Sequence, residues 1–286
     1  MLPVRSLALA LILLLLCPLA AAQDSLLVYD SIQLPRDSRV LDLGQRKVVD
    51  LARLRGYLDQ LPALERVVMP RTRLSVAQLE ELQAAYPGIR FETTFGFVKG
   101  AVSTTQTAYS TLNRLSDKRY PESRFEALRH CPDLKALDLG HNLIADLGFL
   151  RALPGLRVLI LADNHIEDLG PLADLEELEY LELFMNRITD LTPLAGLVRL
   201  KDLNLTRNRI SDISPLLGLA ALERLWIPDN FLTGEQKAQL EAALPNCRIV
   251  YEWSRSTSHG WREHPRYEVI KRVFRSGVYE PFPQAP

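Results

Sequence analysis

Cysteine is scarce, with 3 in 286 residues, which excludes the dense disulfide framework of a small secreted scaffold. Neither sign of charge dominates. Lys+Arg number 34 and Asp+Glu 35, a formal net charge of -1, so no global field draws the chain to nucleic acid, and no nucleic-acid partner is expected. Histidines 130, 141, 165, 259 and 264 are scattered; only His259 and His264, flanking Glu263, look like metal ligands. Their spacing does not place both on one helical face, so no metal site is assigned. A nucleophile elbow, a phosphate-binding loop and a metalloprotease motif are all missing. No catalytic residue and no cofactor are therefore assigned, and an enzyme is not expected.

Long apolar runs are also lacking after the N-terminus. The one exception is Leu7 to Cys17, preceded by Arg5 and followed by Ala20-Ala21-Ala22, which reads as a cleaved signal peptide over 1–22. The run is shorter than the roughly 20 residues needed to span a bilayer, so the mature chain is expected to have no membrane span. Removing Arg5 with this segment takes the formal net charge from -1 to -2. The expected location is secreted or at the cell envelope. Lipid attachment through Cys17 is the lesser alternative, because Leu16 stands where such signals usually carry a small residue.

What the chain does have is 47% hydrophobic residues, enough for a real core, arranged with strict periodicity. Leu134, Leu156, Leu178, Leu200 and Leu222 are spaced 22 apart, and each opens Leu-x-x-Leu-x-(Leu or Ile)-x-x-Asn. Alternate side chains of a short strand point to one side, so the leucines face a shared core that only stacked coils can bury. The ninth positions, Asn142, Asn164, Asn186, Asn208 and Asn230, enter a turn where an amide that both donates and accepts can satisfy buried backbone groups. They read as structural. Ile166-Glu-Asp-Leu-Gly-Pro-Leu172, Ile188-Thr-Asp-Leu-Thr-Pro-Leu194 and Ile210-Ser-Asp-Ile-Ser-Pro-Leu216 add an Asp to cap a short helical turn and a Pro near its start.

This pattern resembles the leucine-rich repeat family, and its 22-residue coils resemble the subclass of bacterial internalins and phosphatase-regulating repeat proteins. The resemblance implies an α/β solenoid: a horseshoe with a parallel concave sheet and short 3₁₀ or α turns on the convex side. His130 to Asn142, Glu182-Leu-Phe-Met-Asn186, Arg224-Leu-Trp226 and Gly260-Trp-Arg-Glu-His-Pro265 are similar to stretches of exported bacterial leucine-rich repeat proteins, a likeness that brings no activity with it. Unlike internalins, the sequence shows no wall-sorting motif and no immunoglobulin-like domain after the repeats.

Two segments at an offset of 158 match: Ser75-Val-Ala-Gln78 leading to Arg90, and Thr233-Gly-Glu-Gln236 leading to Arg248. Each is a capping box opening an amphipathic helix that feeds a strand. The expected organisation is an irregular block over 23–97, a linking excursion over 98–121, five regular repeats and a closing strand over 122–251, and a cap with tail over 252–286. The repeats are 134–155, 156–177, 178–199, 200–221 and 222–246. In the tail, Pro265 to Phe274 fits a helix with Gly277 just past its end. Trp253, Trp261, Tyr267 and Phe274 are expected to close the exposed end of the core. Cys131 and Cys247 replace repeat leucines and should be buried as free thiols, about five ladder steps or on the order of 24 Å apart.

Function should then sit on the concave sheet. By repeat phase its outward positions include Asp138, Ile160, Tyr180, Glu182, Phe184, Met185, Asp202, Asn204, Arg207, Arg224 and Trp226. Large apolar groups outside a core mark interaction sites, and Trp, Tyr and Arg dominate interface energetics. Recognition of a protein or peptide partner by this face is the expected function; the competing reading is that the C-terminal tail or the linking segment folds over these residues and makes them core. The alternative is a structural envelope component that self-associates or holds cell-wall glycan.

Overall fold

The computed structural model describes residues 24–98, 100–111, 118–252 and 260–283. The expected signal segment with Cys17, and also Trp253 and His259, lie outside these residues. The chain divides into two compact units, Met1–Ser103 and Thr104–Pro286.

In the first unit, β1 (Ser25–Val28) and β2 (Ile32–Pro35) form an antiparallel hairpin. Parallel strands β3 (Val40–Asp42), β4 (Arg66–Leu74) and β5 (Arg90–Gly96) follow, with β6 (Ala101–Ser103) antiparallel to β5. Two helices connect the parallel strands: α1 (Leu51–Leu58), capped by Asp50, and α2 (Val76–Ala85), opened by the Ser75/Gln78 capping box. Their buried leucines, Leu54, Leu58, Leu79 and Leu82, share this unit's core with Leu41, Val67, Met69, Phe91 and Phe95.

The second unit is a seven-stranded sheet in sequence order. It runs β7 (Ala108–Ser110), β8 (Ala136–Asp138), β9 (Val158–Ile160), β10 (Tyr180–Glu182), β11 (Asp202–Asn204), β12 (Arg224–Trp226) and β13 (Arg248–Val250). All pairings are parallel, and Leu137, Leu159, Leu181, Leu203 and Leu225 stand side by side. This is the α/β solenoid the 22-residue period dictates. The segment read as a linking excursion ends one sheet and begins the other, since it contains both β6 and β7. Helix α3 (Gly234–Ala243), opened by the Thr233/Gln236 box, leads into β13.

The asparagine column does the joining. Asn164 Nδ2 donates to Leu161 O of its own coil at 3.0 Å and to Leu139 O of the preceding one at 3.1 Å, while its Oδ1 accepts from Ile144 N at 3.0 Å. Asn186, Asn208 and Asn230 repeat this set one coil later each time. On the convex side, Asp146, Asp168, Asp190 and Asp212 each accept from the backbone N–H two residues on, at 2.7 to 2.9 Å. That bond fixes the first residue of a 3₁₀ turn, and in the last three coils Pro171, Pro193 and Pro215 occupy the second.

Of the thiols, Cys131 is buried as expected by position, whereas Cys247 is only half-buried, because it stands in the turn before the last strand. Burial pushes both up to about 12.

The tail helix α4 (Pro265–Ser276) starts with Pro265 at its first turn and ends at Gly277, whose φ of 73° is the left-handed conformation a helix terminator adopts. Its position corrects the sequence expectation. Trp261, Tyr267 and Phe274 do not close the end of the solenoid; they pack with α4 across the concave sheet.

Candidate functional site

The concave face is built from the third and fifth residues of each coil, and β7 extends it with Ala108 and Ser110, which pair with Ala136 and Asp138. These columns carry Val158, Ile160, Tyr180 and Trp226, joined at the seventh position by Ala162 and Phe184. All of them are buried in one cluster with Trp261, Val269, Ile270, Val273 and Phe282 from the tail. The expectation of an open aromatic surface is therefore corrected. Ile160, Tyr180, Phe184 and Trp226 are at most 5% exposed, and the polar members Asp138, Glu182, Asp202, Asn204 and Arg224 are buried too. An amphipathic helix presenting Val269, Ile270 and Val273 on one face and a sheet presenting unpartnered rings each lower their free energy by covering the other.

The eighth-position residues behave differently. Met185 is half-buried against the cluster and Arg207 is exposed, paired with Asp229 at 3.3 Å. The cause is backbone geometry: His141, Asp163, Met185, Arg207 and Asp229 all have φ between 53° and 58°, so the chain leaves the sheet there and their side chains lie beyond its floor.

Polar bonds lock the helix down. Arg266 Nη1 reaches both carboxylate oxygens of the fully buried Asp202 at 2.9 Å, and Arg224 Nε reaches Oδ1 at 2.5 Å. Arg266 also pairs with Glu223. Trp261 Nε1 donates to Glu182 Oε1 at 2.7 Å, and the Tyr180 hydroxyl donates to the same oxygen. The Trp261 ring lies 5.1 Å from that of Trp226 and 5.4 Å from that of Tyr180, with the Arg224 guanidinium 4.6 Å from its centre. Beyond the helix, Ala108 N donates to Gly277 O at 3.2 Å and Tyr279 N to Thr107 Oγ1 at 2.8 Å, so the returning chain runs along β7.

One part of the concave face remains open. Between β7 to β9 and the C-terminal half of α4 is a cleft of about 520 Å³, walled by Ala108, Ser110, Asp138, Ile160, Tyr267, Ile270, Lys271, Phe274 and Arg275. Asp138 is its distinctive group. Its Oδ2 accepts from Ser110 Oγ at 2.9 Å and its Oδ1 from Gly140 N at 3.0 Å. Burial pushes its carboxyl up to about 6, outweighing these two bonds. Glu182 is likewise raised, first by burial, against the lowering effect of its bonds to Tyr180 and Trp261. Of these cleft residues, the repeat phase picked out Asp138 and Ile160. Ser110 was missed because β7 stands outside the period, and the helix residues were missed because no local pattern says where α4 docks.

Geometry of this kind defines a class: the regular coils are leucine-rich repeats. Residues 154–196 match the family described as Leucine Rich repeats (2 copies), and residues 130–149 match that described as Leucine Rich repeat. Proteins with such repeats generally mediate protein–protein interaction.

Among solved structures, the chain is similar to internalin C2 of Listeria monocytogenes at 24% identity, over 77% of this chain and 85% of that one, with a TM-score of 0.43. It is similar to a second Listeria monocytogenes internalin at 22% identity, over 76% and 69%, with a TM-score of 0.42. A leucine-rich repeat protein of Leptospira interrogans is 24% identical over 74% of this chain and 54% of its own length, with a TM-score of 0.46. None of the curated proteins compared with the chain matches it. Among the described residues, no helix is long and apolar enough to cross a membrane, and no group of three His, Cys, Asp or Glu side chains could hold a metal ion.

Proposed function

We propose that this chain is an exported recognition module that acts by binding a protein or peptide, without chemistry of its own, and that recognition centres on the cleft beside α4. Export rests on Arg5, the apolar run Leu7 to Cys17 and the small residues Ala20 to Ala22. The cleft carries the functional reading: it is a concavity of about 520 Å³ on the working face of the solenoid, with a buried carboxyl at Asp138 and apolar walls at Ile160, Ile270 and Phe274. Pockets that combine apolar walls with a few convergent polar groups are where proteins place specific ligands. The sealed part of the face supports the cleft by holding α4 rigid, and a rigid wall lowers the entropic cost of binding.

Blocking the cleft tests this. Ser110→Phe fills it from the sheet side, and Gln106→Trp narrows it at another lining residue. A partner captured by crosslinking to the mature chain, identified by mass spectrometry and purified, should lose at least tenfold in affinity for either variant while thermal unfolding stays cooperative. Equal affinity for wild type and both folded variants would place recognition elsewhere.

A further inference from the structure

The cleft holds a charge without a counter-charge. Asp138 is 2% exposed, and both of its hydrogen bonds come from neutral donors, Ser110 Oγ and Gly140 N. Among the described residues no ion pair reaches it. A cation on the opposing wall, Lys271 Nζ, is held by Glu268 at 2.5 Å. Glu182 lies close enough to add like charge, and Tyr267 faces both carboxyls from α4. His141 contributes only a weak opposing effect and has its own partner in Asp163 at 2.9 Å. Arg275 is on the rim, exposed.

A buried carboxylate is costly unless it is paired with an opposite charge that also hydrogen-bonds it. Each Asp138 oxygen has accepted one bond and has a second lone pair to offer, and the space beside it is open. Resting on the reading of this cleft as a peptide-binding site, we infer that it takes a primary alkylammonium group, seated on Asp138 with its methylene stem along Ile160, Ile270 and Phe274. A lysine side chain of a partner fits this description, and so does a free diamine. The Lys271 ammonium already has a carboxylate partner in Glu268 and is itself exposed to solvent. An aliphatic stem is favoured because the walls on both sides of the carboxylate are apolar, and long amine side chains bury their methylenes along such surfaces while the head group makes its polar contact.

The test uses the mature chain and three probes followed by calorimetry: the acetylated, amidated peptide Ala-Ala-Lys-Ala, the same peptide with norleucine for lysine, and cadaverine. The lysine peptide should bind wild type at pH 8, and the norleucine peptide should bind at least tenfold more weakly. Asp138→Asn should erase that difference. Binding of the lysine peptide should also weaken about tenfold between pH 8 and pH 5, since a carboxyl titrating at about 6 is largely protonated at pH 5 while lysine stays charged.

Cadaverine binding tighter than the peptide identifies a free amine as the source; the reverse order identifies a protein lysine. Equal binding of the lysine and norleucine peptides, equal binding by Asp138→Asn, or no heat from any probe at millimolar concentration overturns the ammonium assignment. Should that happen while a purified partner still loses affinity for Ser110→Phe, the cleft remains the recognition site and only the ligand chemistry falls.

Discussion

Trp261 Nε1 donates to Glu182 Oε1 at 2.7 Å across 79 positions of sequence, joining the tail to the middle of the concave sheet. Trp261→Phe keeps most of the buried ring and removes only the donor, leaving Glu182 to rely on Tyr180. The expected cost is about 1–3 kcal/mol, that of losing one of the two hydrogen bonds to a buried carboxyl. Trp261→Ala should cost about 3–5 kcal/mol through the cavity it opens. Urea unfolding of both variants measures the order, and a Trp261→Phe variant as stable as wild type would mean the hydrogen bond contributes nothing.

Asp138 gives the second prediction. Its folded-state pKa is raised from 3.8 to about 6 by burial, so the folded chain holds this proton more tightly than the unfolded one. The stability it supplies is complete below about pH 4 and is lost as pH rises through about 6, a swing on the order of 3 kcal/mol at 1.36 kcal/mol per pH unit. Asp138→Asn removes the charge and keeps partners for Ser110 and Gly140. Relative to wild type, the variant should therefore gain stability between pH 4 and pH 8, by roughly 2–3 kcal/mol. A difference that stays constant with pH would show that Asp138 does not titrate in this range.

Arg266 clamps α4 to the sheet. In Arg266→Ala, Asp202 keeps Arg224 but loses two bonds at 2.9 Å, and the guanidinium contact to Glu223 goes as well. Removing one partner of a fully buried ion pair costs about 3–5 kcal/mol, and with Arg224 still in place the expected loss is about 2–3 kcal/mol. Faster hydrogen exchange should appear along Pro265–Ser276 before it appears in β8 to β12. Uniform exchange across the unit would argue against a local clamp.

The asparagines differ by position. Asn164→Ala leaves Ile144 N without its acceptor in a buried setting and takes one of two asparagine donors from each of Leu139 O and Leu161 O, which keep Asn142 and Asn186, and should cost roughly 1–3 kcal/mol. Asn230 is half-buried in the last regular coil, where water can replace part of what it gives, so Asn230→Ala should cost about half as much. Chemical denaturation of the two single variants decides this.

Much of this architecture is written in the chain. Leucines at a 22-residue period give the strand centres, and the asparagine and aspartate columns give the two turns of each coil, because these are local demands of a stacked unit. Helix α4 is legible as a helix from Pro265 and Gly277. Where it goes is not, since docking depends on surfaces far apart in sequence. The clue lay in a complementarity: Val269, Ile270 and Val273 form an apolar helical stripe, and Ile160, Tyr180, Phe184 and Trp226 form an apolar sheet face, each in want of cover. Strand β7 escaped because its neighbour is 28 positions away, at Ala136, and shares no leucine phase with it. Met185 and Arg207 were counted with the sheet floor because the repeat phase does not reveal that their column turns left-handed.

The asparagine column also gives the solenoid a direction. Each amide serves the coil before it as well as its own, so Asn230 completes groups at Leu205 and Ile210, and among the described residues no asparagine of the column bonds to the coil after it. Loss of the last regular coil would strip Ile210 N of its acceptor while Leu205 O kept Asn208; loss of a leading coil would instead take backbone acceptors, as Lys135 O serves Arg157 N and Val158 N. The two ends of the array therefore expose different orphans, a side-chain vacancy behind and backbone donors ahead, and each needs a cover of its own kind.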